Sequence, residues 1–323
     1  MSHRVSFIVI GQNQQRTIKD CISSIFKTAE TLQLKNYEVI YIDSRSSDQT
    51  VQIIKSSFRQ RVKMYSLNSR MNAAIARNVG AKVADGDIYF FVDGDMELYP
   101  DFLEDVFSEE QGLQYDVVSG KLMEYEYDEN WNRIGIVNDR YNVTETEYRQ
   151  DLGGVFVIQS EVFKAVGGFN ECWKSEEDFD LALRLAQRGI YLLRLPKYIA
   201  VHHTINYYKF ARLLGRIRNG QIFYHGVMCR KNLFNKYGMK MIVENQKFTF
   251  FLCLSILAGM YVNRACFLVY PVLIFLFKYR KSRNNSYWES FLGTLCENIS
   301  FILGFLFLYP AMDNKKTLDY SLL

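Results

Sequence analysis

The first two hundred residues predict an α/β fold with a mostly parallel sheet, followed by a helical, apolar C-terminal extension. Three observations carry this. Short apolar runs alternate with segments of helical spacing, small polar residues follow the runs, and the charge balance changes sign near residue 200. In open α/β sheets ligands bind beyond the carboxyl ends of the strands. The polar residues at the run ends are therefore the first place to look for chemistry.

Val5 to Ile10 is a nearly continuous apolar run ending at Gly11, the pattern of a strand buried on both faces. Ile18, Ile22, Ile25 and Phe26 recur at helical spacing. Tyr37–Ile42 forms a second strand and ends at Asp43. Ser46, Ser47 and Asp48 offer N-caps for a helix carrying Val51, Ile54 and Phe58. Val62–Leu67 forms a third strand, Ala73–Ala84 an Ala-rich helix, and Ile88–Val92 a fourth strand ending at Asp93. Between Val117 and Val137 alternation with Tyr125, Tyr127 and Trp131 predicts a strand and hairpin excursion. Gly153-Gly154 precedes a short apolar run, and Gly167-Gly168-Phe169 marks a turn. Phe179 to Arg188 reads as a helix stopped by Gly189. Leu192–Leu195 and Tyr198–Val201 are two short apolar pieces leading to His202-His203.

With 323 residues, 49% hydrophobic and 23% charged, the chain can fill a large core. Of 39 Lys/Arg and 35 Asp/Glu, 16 and 5 lie from Ala200 onward. The front is therefore acidic, which suits a metal site, and the back is basic. The six cysteines show neither zinc-ligand nor redox spacing, and a reducing compartment is expected. The apolar run after Met1-Ser2-His3-Arg4 is too short for a signal peptide.

Two acidic groups carry the chemistry. Asp93-Gly94-Asp95 sits directly behind a strand. Two carboxylates one residue apart can hold a divalent ion, and Mg²⁺ and Mn²⁺ take such hard oxygen ligands and bridge to a diphosphate. An Asp-Gly pair also makes an ordinary turn. Glu176-Glu177-Asp178, with Asp180 beyond, opens a helix. Acidic residues there complement the helix dipole, and one of them can serve as a general base. His202-His203 offers a metal ligand or a phosphate contact.

Together these segments resemble the family 2 glycosyltransferases, which have the GT-A fold. The likeness runs from Val5 to about His203. It rests on the opening strand, Asp43-Ser44-Arg45-Ser46-Ser47-Asp48-Gln49-Thr50, Ala76-Arg77-Asn78-Val79-Gly80, Asp93-Gly94-Asp95 as a D-x-D element, and Gly167-Gly168-Phe169-Asn170-Glu171 followed by Glu177-Asp178-Phe179-Asp180-Leu181. Ser44 and Gln49 depart from the family pattern. The resemblance implies an inverting transfer from a nucleotide-sugar donor, with UDP-sugar as the default. Asp43 would bind the base or ribose beside the backbone of Ile10 and Gly11. Arg77 would lie near the donor, with Asn78 shaping the pocket. Asp93 and Gly94 would contact the donor, with Asp93 at the ribose or the metal. Asp95 would ligate the metal, Mn²⁺ or Mg²⁺, and His203 or else His202 would complete its shell. Asp178, with Glu177 as fallback, would be the general base. The Q-x-x-R-W motif of processive synthases is absent, so a non-processive enzyme is expected.

Residues 1–204 are assigned to the catalytic domain and 205–323 to the basic, aromatic C-terminal region. Ile205 to Phe234 includes Tyr207, Tyr208, Arg212 and Arg216. Phe248–Val262 and Cys266–Phe277 are apolar, split by Asn263-Arg264 and followed by the basic stretch Lys278 to Arg283. A last apolar stretch, Phe291–Pro310, contains Glu297 and Asn298. Neither Phe248–Val262 nor Cys266–Phe277 amounts to the roughly 20 apolar residues of a membrane span. Basic flanks on both sides favour a hairpin or in-plane helices at the cytoplasmic face of the cell membrane. The expected partners are a nucleotide-sugar donor, a glycan or lipid-linked sugar acceptor and a membrane surface, with no nucleic acid. The alternatives are a noncatalytic nucleotide-sugar-binding relative and a nucleotidyltransferase. The single glycine of Gly11-Gln12-Asn13-Gln14-Gln15 argues against the latter's phosphate loop.

Overall fold

The computed structural model describes residues 3–149, 151–205, 210–281, 287–308 and 318–323. The chain divides into two units, Met1–Ile205 with Asp313–Leu323, and Asn206–Met312. The expected Tyr207, Tyr208, Arg283 and Pro310 lie outside the described residues.

The first unit opens with strand–helix alternation: β1 (Val5–Gly11), α1 (Ile18–Thr31), β2 (Tyr37–Asp43), α2 (Thr50–Phe58), β3 (Lys63–Leu67), α3 (Ala73–Val83) and β4 (Ile88–Asp93). β1 lies between β2 and β4, all parallel, and β3 is parallel to β2. Alternation along β1 feeds two cores. Phe7 and Val9 pack with Ile22 and Ile25 of α1, while Ile8 joins Tyr89, Phe91 and Phe163 on the other side. Gly80 lets α3 approach this sheet, because a Cβ there would lie 2.2 Å from Ile8 Cγ2.

The chain then leaves this pattern. β5 (Met96–Leu98) is followed by the small pair β6 (Phe107–Ser108) and β7 (Gly112–Leu113), then β8 (Val117–Tyr127), β9 (Arg133–Val137) and β10 (Glu147–Arg149). Next come β11 (Phe156–Gln159), α4 (Ser160–Ala165), α5 (Glu177–Ala186) and β12 (Leu192–Ile205). Among the described residues the main path runs β10-β12-β8-β11-β4-β1-β2-β3, with β5 on β12 and β9 on β8. β11 is antiparallel to both β4 and β8. β12 is one strand rather than two pieces. Its register with β8 shifts between Arg194 and Tyr198, around Pro196, which has no N–H to donate.

β13 (Tyr320–Leu322) returns to the first unit and pairs antiparallel with β3. The last residues therefore belong with the first unit's sheet, whereas a division at residue 204 assigns them to the C-terminal region. The Tyr65 and Tyr320 rings meet edge-on at 5.8 Å.

The second unit is helical: α6 (Phe210–Arg218), α7 (Tyr224–Lys231), α8 (Lys236–Asn245), α9 (Lys247–Tyr261), α10 (Val269–Lys281) and α11 (Tyr287–Leu306). Among the described residues no helix is long and apolar enough to cross a membrane.

Candidate active site

The rim at the carboxyl ends of the strands begins where β1 and β2 end in register, Gly11 opposite Asp43. Asp43 is buried. Its Oδ1 accepts from the Tyr41 hydroxyl at 3.2 Å and its Oδ2 from the Ser46 N–H at 2.9 Å. The following loop is tied to the one after β1. The Asn13 N–H donates to Ser46 Oγ at 2.9 Å, that of Gln14 to Thr50 Oγ1 at 2.7 Å, and that of Gln15 to Asp48 Oδ2 at 3.0 Å. The serines and Asp48 thus knit two loops into one rim, and α2 starts within that knot.

Asp93 ends β4 opposite Ile10, and the Gly94 N–H donates to the Ile10 carbonyl at 2.8 Å. This bond fixes the turn that presents Asp95. β5 then carries the chain onto β12, pairing Met96 with His202. The pairing brings His202 Nε2 to 3.6 Å from Asp95 Oδ2, while His202 Nδ1 lies 3.1 Å from Glu124 Oε1. Neighbours on a strand point to opposite faces. His203 accordingly turns away, with Nε2 2.7 Å from Glu97 and Nδ1 2.9 Å from the Tyr127 hydroxyl. Of the two histidines, His202 faces the Asp95 carboxylate.

Arg77, on α3, joins this rim to the second acidic group. Its guanidinium is buried and donates to Asp93 Oδ1 at 2.7 Å and to Glu177 Oε1 at 2.8 Å. Burial alone would depress its pKa, but the charges of Asp93 and Glu177 raise it, so the cation is permanent. Asn78, beside it, grips the glycine turn, donating to the Phe169 carbonyl and accepting from the Phe169 N–H, each at 2.9 Å. It is a brace.

Asp178 lies in the first turn of α5, after Glu176 in a left-handed conformation at φ 68°. The Gly153 N–H donates to Asp178 Oδ2 at 3.1 Å. Burial, then the charges of Glu177 and Glu176, push its pKa up to about 7, a value suited to taking a proton near neutrality. Asp95 goes the other way: burial pushes it up, but His202 outweighs that and holds it below the usual carboxylate range. Gly154 packs against Asp93, since a Cβ there would sit 2.2 Å from Asp93 Oδ2.

Metal fit can be read from the donor atoms. Among the described residues no three metal-ligating side chains converge. Asp95 Oδ1, however, is buried without a hydrogen-bond partner, although Gln14 approaches the carboxylate. His202 is oriented by the Glu124 carboxylate on its other nitrogen, as ligating histidines commonly are. Asp95 and His202 are therefore two donors of the hard-oxygen and imidazole kinds that a divalent ion accepts. Asp93 is already engaged by Arg77 through Oδ1.

The sequence profile described as glycosyl transferase family 2 matches residues 6–166. The chain belongs to glycosyltransferase family 2. Glycosyltransferase AglE of Haloferax volcanii is 25% identical over 229 residues, 68% of this chain and 73% of that protein. The poly(ribitol-phosphate) β-N-acetylglucosaminyltransferase TarP of Staphylococcus aureus is 31% identical over 121 residues, 36% of each chain. The mannosyltransferase PcManGT of Pyrobaculum calidifontis, solved with GDP-Man and Mn²⁺, superposes with a TM-score of 0.62 at 16% identity. That superposition covers 95% of this chain and 88% of PcManGT. The fold of this glycosyltransferase is the GT-A fold, an α/β sheet with a helical C-terminal region.

Two residues of the site in this glycosyltransferase, Glu124 and Gly153, have no assigned role in the sequence pattern. They come from β8 and from the loop before β11, and their pairings are long-range. Gly153-Gly154 was the one visible signal, a double glycine before an apolar run.

Proposed function

We propose that this glycosyltransferase moves a sugar from a nucleoside-diphosphate donor, by default a UDP-sugar, to a hydroxyl of a lipid-linked or surface-polysaccharide acceptor, with inversion. Asp178 takes the proton of the attacking hydroxyl. The hydroxyl oxygen forms a bond to the anomeric carbon as the bond from that carbon to the diphosphate oxygen breaks. The observation that carries the reading is the Arg77 bridge, which draws Asp93 at the donor rim and the Glu177-Asp178 pair into one site. Asp95 and His202 would hold Mn²⁺ or Mg²⁺, with Glu124 orienting the histidine. The ion would offset charge on the departing nucleoside diphosphate. PcManGT holds GDP-Man, so GDP-sugars are tested beside UDP-sugars.

The second unit supports a reading of acceptor and location. Its apolar helices and basic flanks support association with the cytoplasmic face of a membrane, and the six free cysteines accord with that compartment. TarP is named for a poly(ribitol-phosphate) acceptor, which supports a polymeric surface glycan as the alternative to a lipid-linked sugar. The test is nucleoside diphosphate release from UDP- and GDP-sugars with Mn²⁺ and a membrane lipid extract as acceptor. Asp178→Asn should slow release by at least about 10²-fold. Unchanged release would sink the assignment of the base.

A further inference from the structure

In the second unit Leu252, Tyr270 and Ile274 form a small apolar core, but most of the large apolar side chains of α9 lie outside it. The buried residues of α9 are Thr249, Leu252, Ser255 and Gly259, two of them hydroxyl-bearing. Thr249 is 4% exposed and hydrogen-bonds Asn298 of α11, and Ser255 is 8% exposed and donates to the Cys266 carbonyl. The large apolar residues of the same helix face outward: Phe250, Phe251, Leu254, Leu257 and Met260, the last 64% exposed. α11 repeats the pattern. Gly293, Thr294, Asn298, Ser300 and Gly304 are buried together with one aromatic, Phe301, while Leu292, Ile299, Leu303 and Leu306 are exposed. In water a helix buries its apolar stripe. Where the solvent is hydrocarbon, polar and small residues make the helix contacts instead. Small-residue packing is present here too: a Cβ on Gly226 of α7 would lie 2.2 Å from the Phe301 carbonyl, and one on Gly304 2.2 Å from that of Phe223.

α9 and α10 form a hairpin. The Phe248 and Phe277 rings meet at 5.2 Å, which puts the start of α9 beside the end of α10. Lys247 opens α9 and Lys278 lies near the end of α10, so basic residues stand at one end of the hairpin. The opposite end carries exposed Tyr261, Val262, Phe267 and Leu268. Fifteen residues give α9 a length of about 22 Å, short of the roughly 30 Å hydrocarbon core.

We infer that the α9–α10 hairpin inserts into a bilayer as a re-entrant wedge, entering and leaving on the side of its basic end, with α11 packed alongside in the same hydrocarbon. This rests on the membrane association proposed above and goes further, since association alone is satisfied by helices lying on the surface. An in-plane helix needs a polar face toward water, and α9 has buried its hydroxyls. The occupant is lipid rather than a protein partner because the apolar exposure extends over both helices of the hairpin and its tip, and the cations at its base match anionic headgroups. Arg264, near the tip, is placed to extend its long side chain toward the opposite headgroups.

The experiment is flotation of the full-length protein with vesicles of phosphatidylcholine containing phosphatidylglycerol, washed at low salt, at 1 M NaCl and in alkaline carbonate. Insertion predicts that the wild type stays bound through both harsher washes. Leu257→Glu with Leu273→Glu, both at exposed positions, should lower the bound fraction at least tenfold without changing nucleotide binding. Binding that 1 M NaCl releases would overturn insertion and leave surface association standing. Failure to float at low salt would overturn both. The wild-type washes decide the question even if the double variant misfolds.

Discussion

Replacing Asp178 by asparagine should make the protein more stable as it makes the enzyme inactive, and the gain should depend on pH. In the fold the carboxyl is shifted from an ordinary 3.8 to about 7. Each tenfold in proton affinity is worth about 1.4 kcal/mol, so ionised Asp178 costs the fold about 4 kcal/mol. The sign follows from proton counts. Between pH 3.8 and about 7 the native state holds more protons at this site than the unfolded chain, so stability falls as pH rises and levels off above 7. Asparagine is neutral throughout and still accepts the Gly153 N–H. Urea unfolding at pH 5 and at pH 8.5 should therefore show the variant's advantage growing by roughly 2–3 kcal/mol. Wild-type turnover should rise with pH through about 7 as the base ionises. A stability difference that ignores pH, or an asparagine variant less stable at pH 8.5, would show that the buried Asp178 carboxylate does not strain the fold.

Three further outcomes follow from the packing. Arg77→Met leaves Asp93 and Glu177 without their shared cation and should cost about 3–5 kcal/mol in urea unfolding, whereas a loss below about 1 kcal/mol would show that the bridge is not structural. Gly154→Ala drives a methyl into Asp93 and should destabilise by about 1–3 kcal/mol while weakening donor binding at least tenfold by calorimetry; unchanged donor affinity would detach Asp93 from the donor site. Tyr320→Ala removes the ring on Tyr65 and should lower stability by about 1 kcal/mol beyond its lost area in thermal unfolding, with no effect on nucleotide affinity.

The parallel half of the sheet was legible because its strands are buried on both faces and its connections are short. The runs at Val5, Tyr37 and Ile88 give strands that start at those residues, and the small polar residues after them do line the rim. The acidic opening of α5 was legible for the same local reason. What could not be read were pairings between distant segments. β5 has three residues and no pattern of its own, yet its partner β12 decides which histidine meets Asp95. The role of Arg77 as a bridge needed the approach of α5 to α3, which no local spacing encodes. β13 left a faint trace, the alternation Leu318, Tyr320, Leu322, that becomes informative only once β3 is known to need an edge partner. In the C-terminal region sequence gave the apolar runs but not which side of each helix was outward, and that side is what separates a buried bundle from one facing lipid.

The most direct test of the account is calorimetric titration of UDP and of GDP, with and without Mn²⁺, into the wild type and Asp95→Ala. A donor rim built on Asp95 and His202 predicts Mn²⁺-dependent binding of one diphosphate, weakened at least tenfold by the substitution or by omitting the metal. Equally tight binding in all four conditions would contradict the assignment of Asp95.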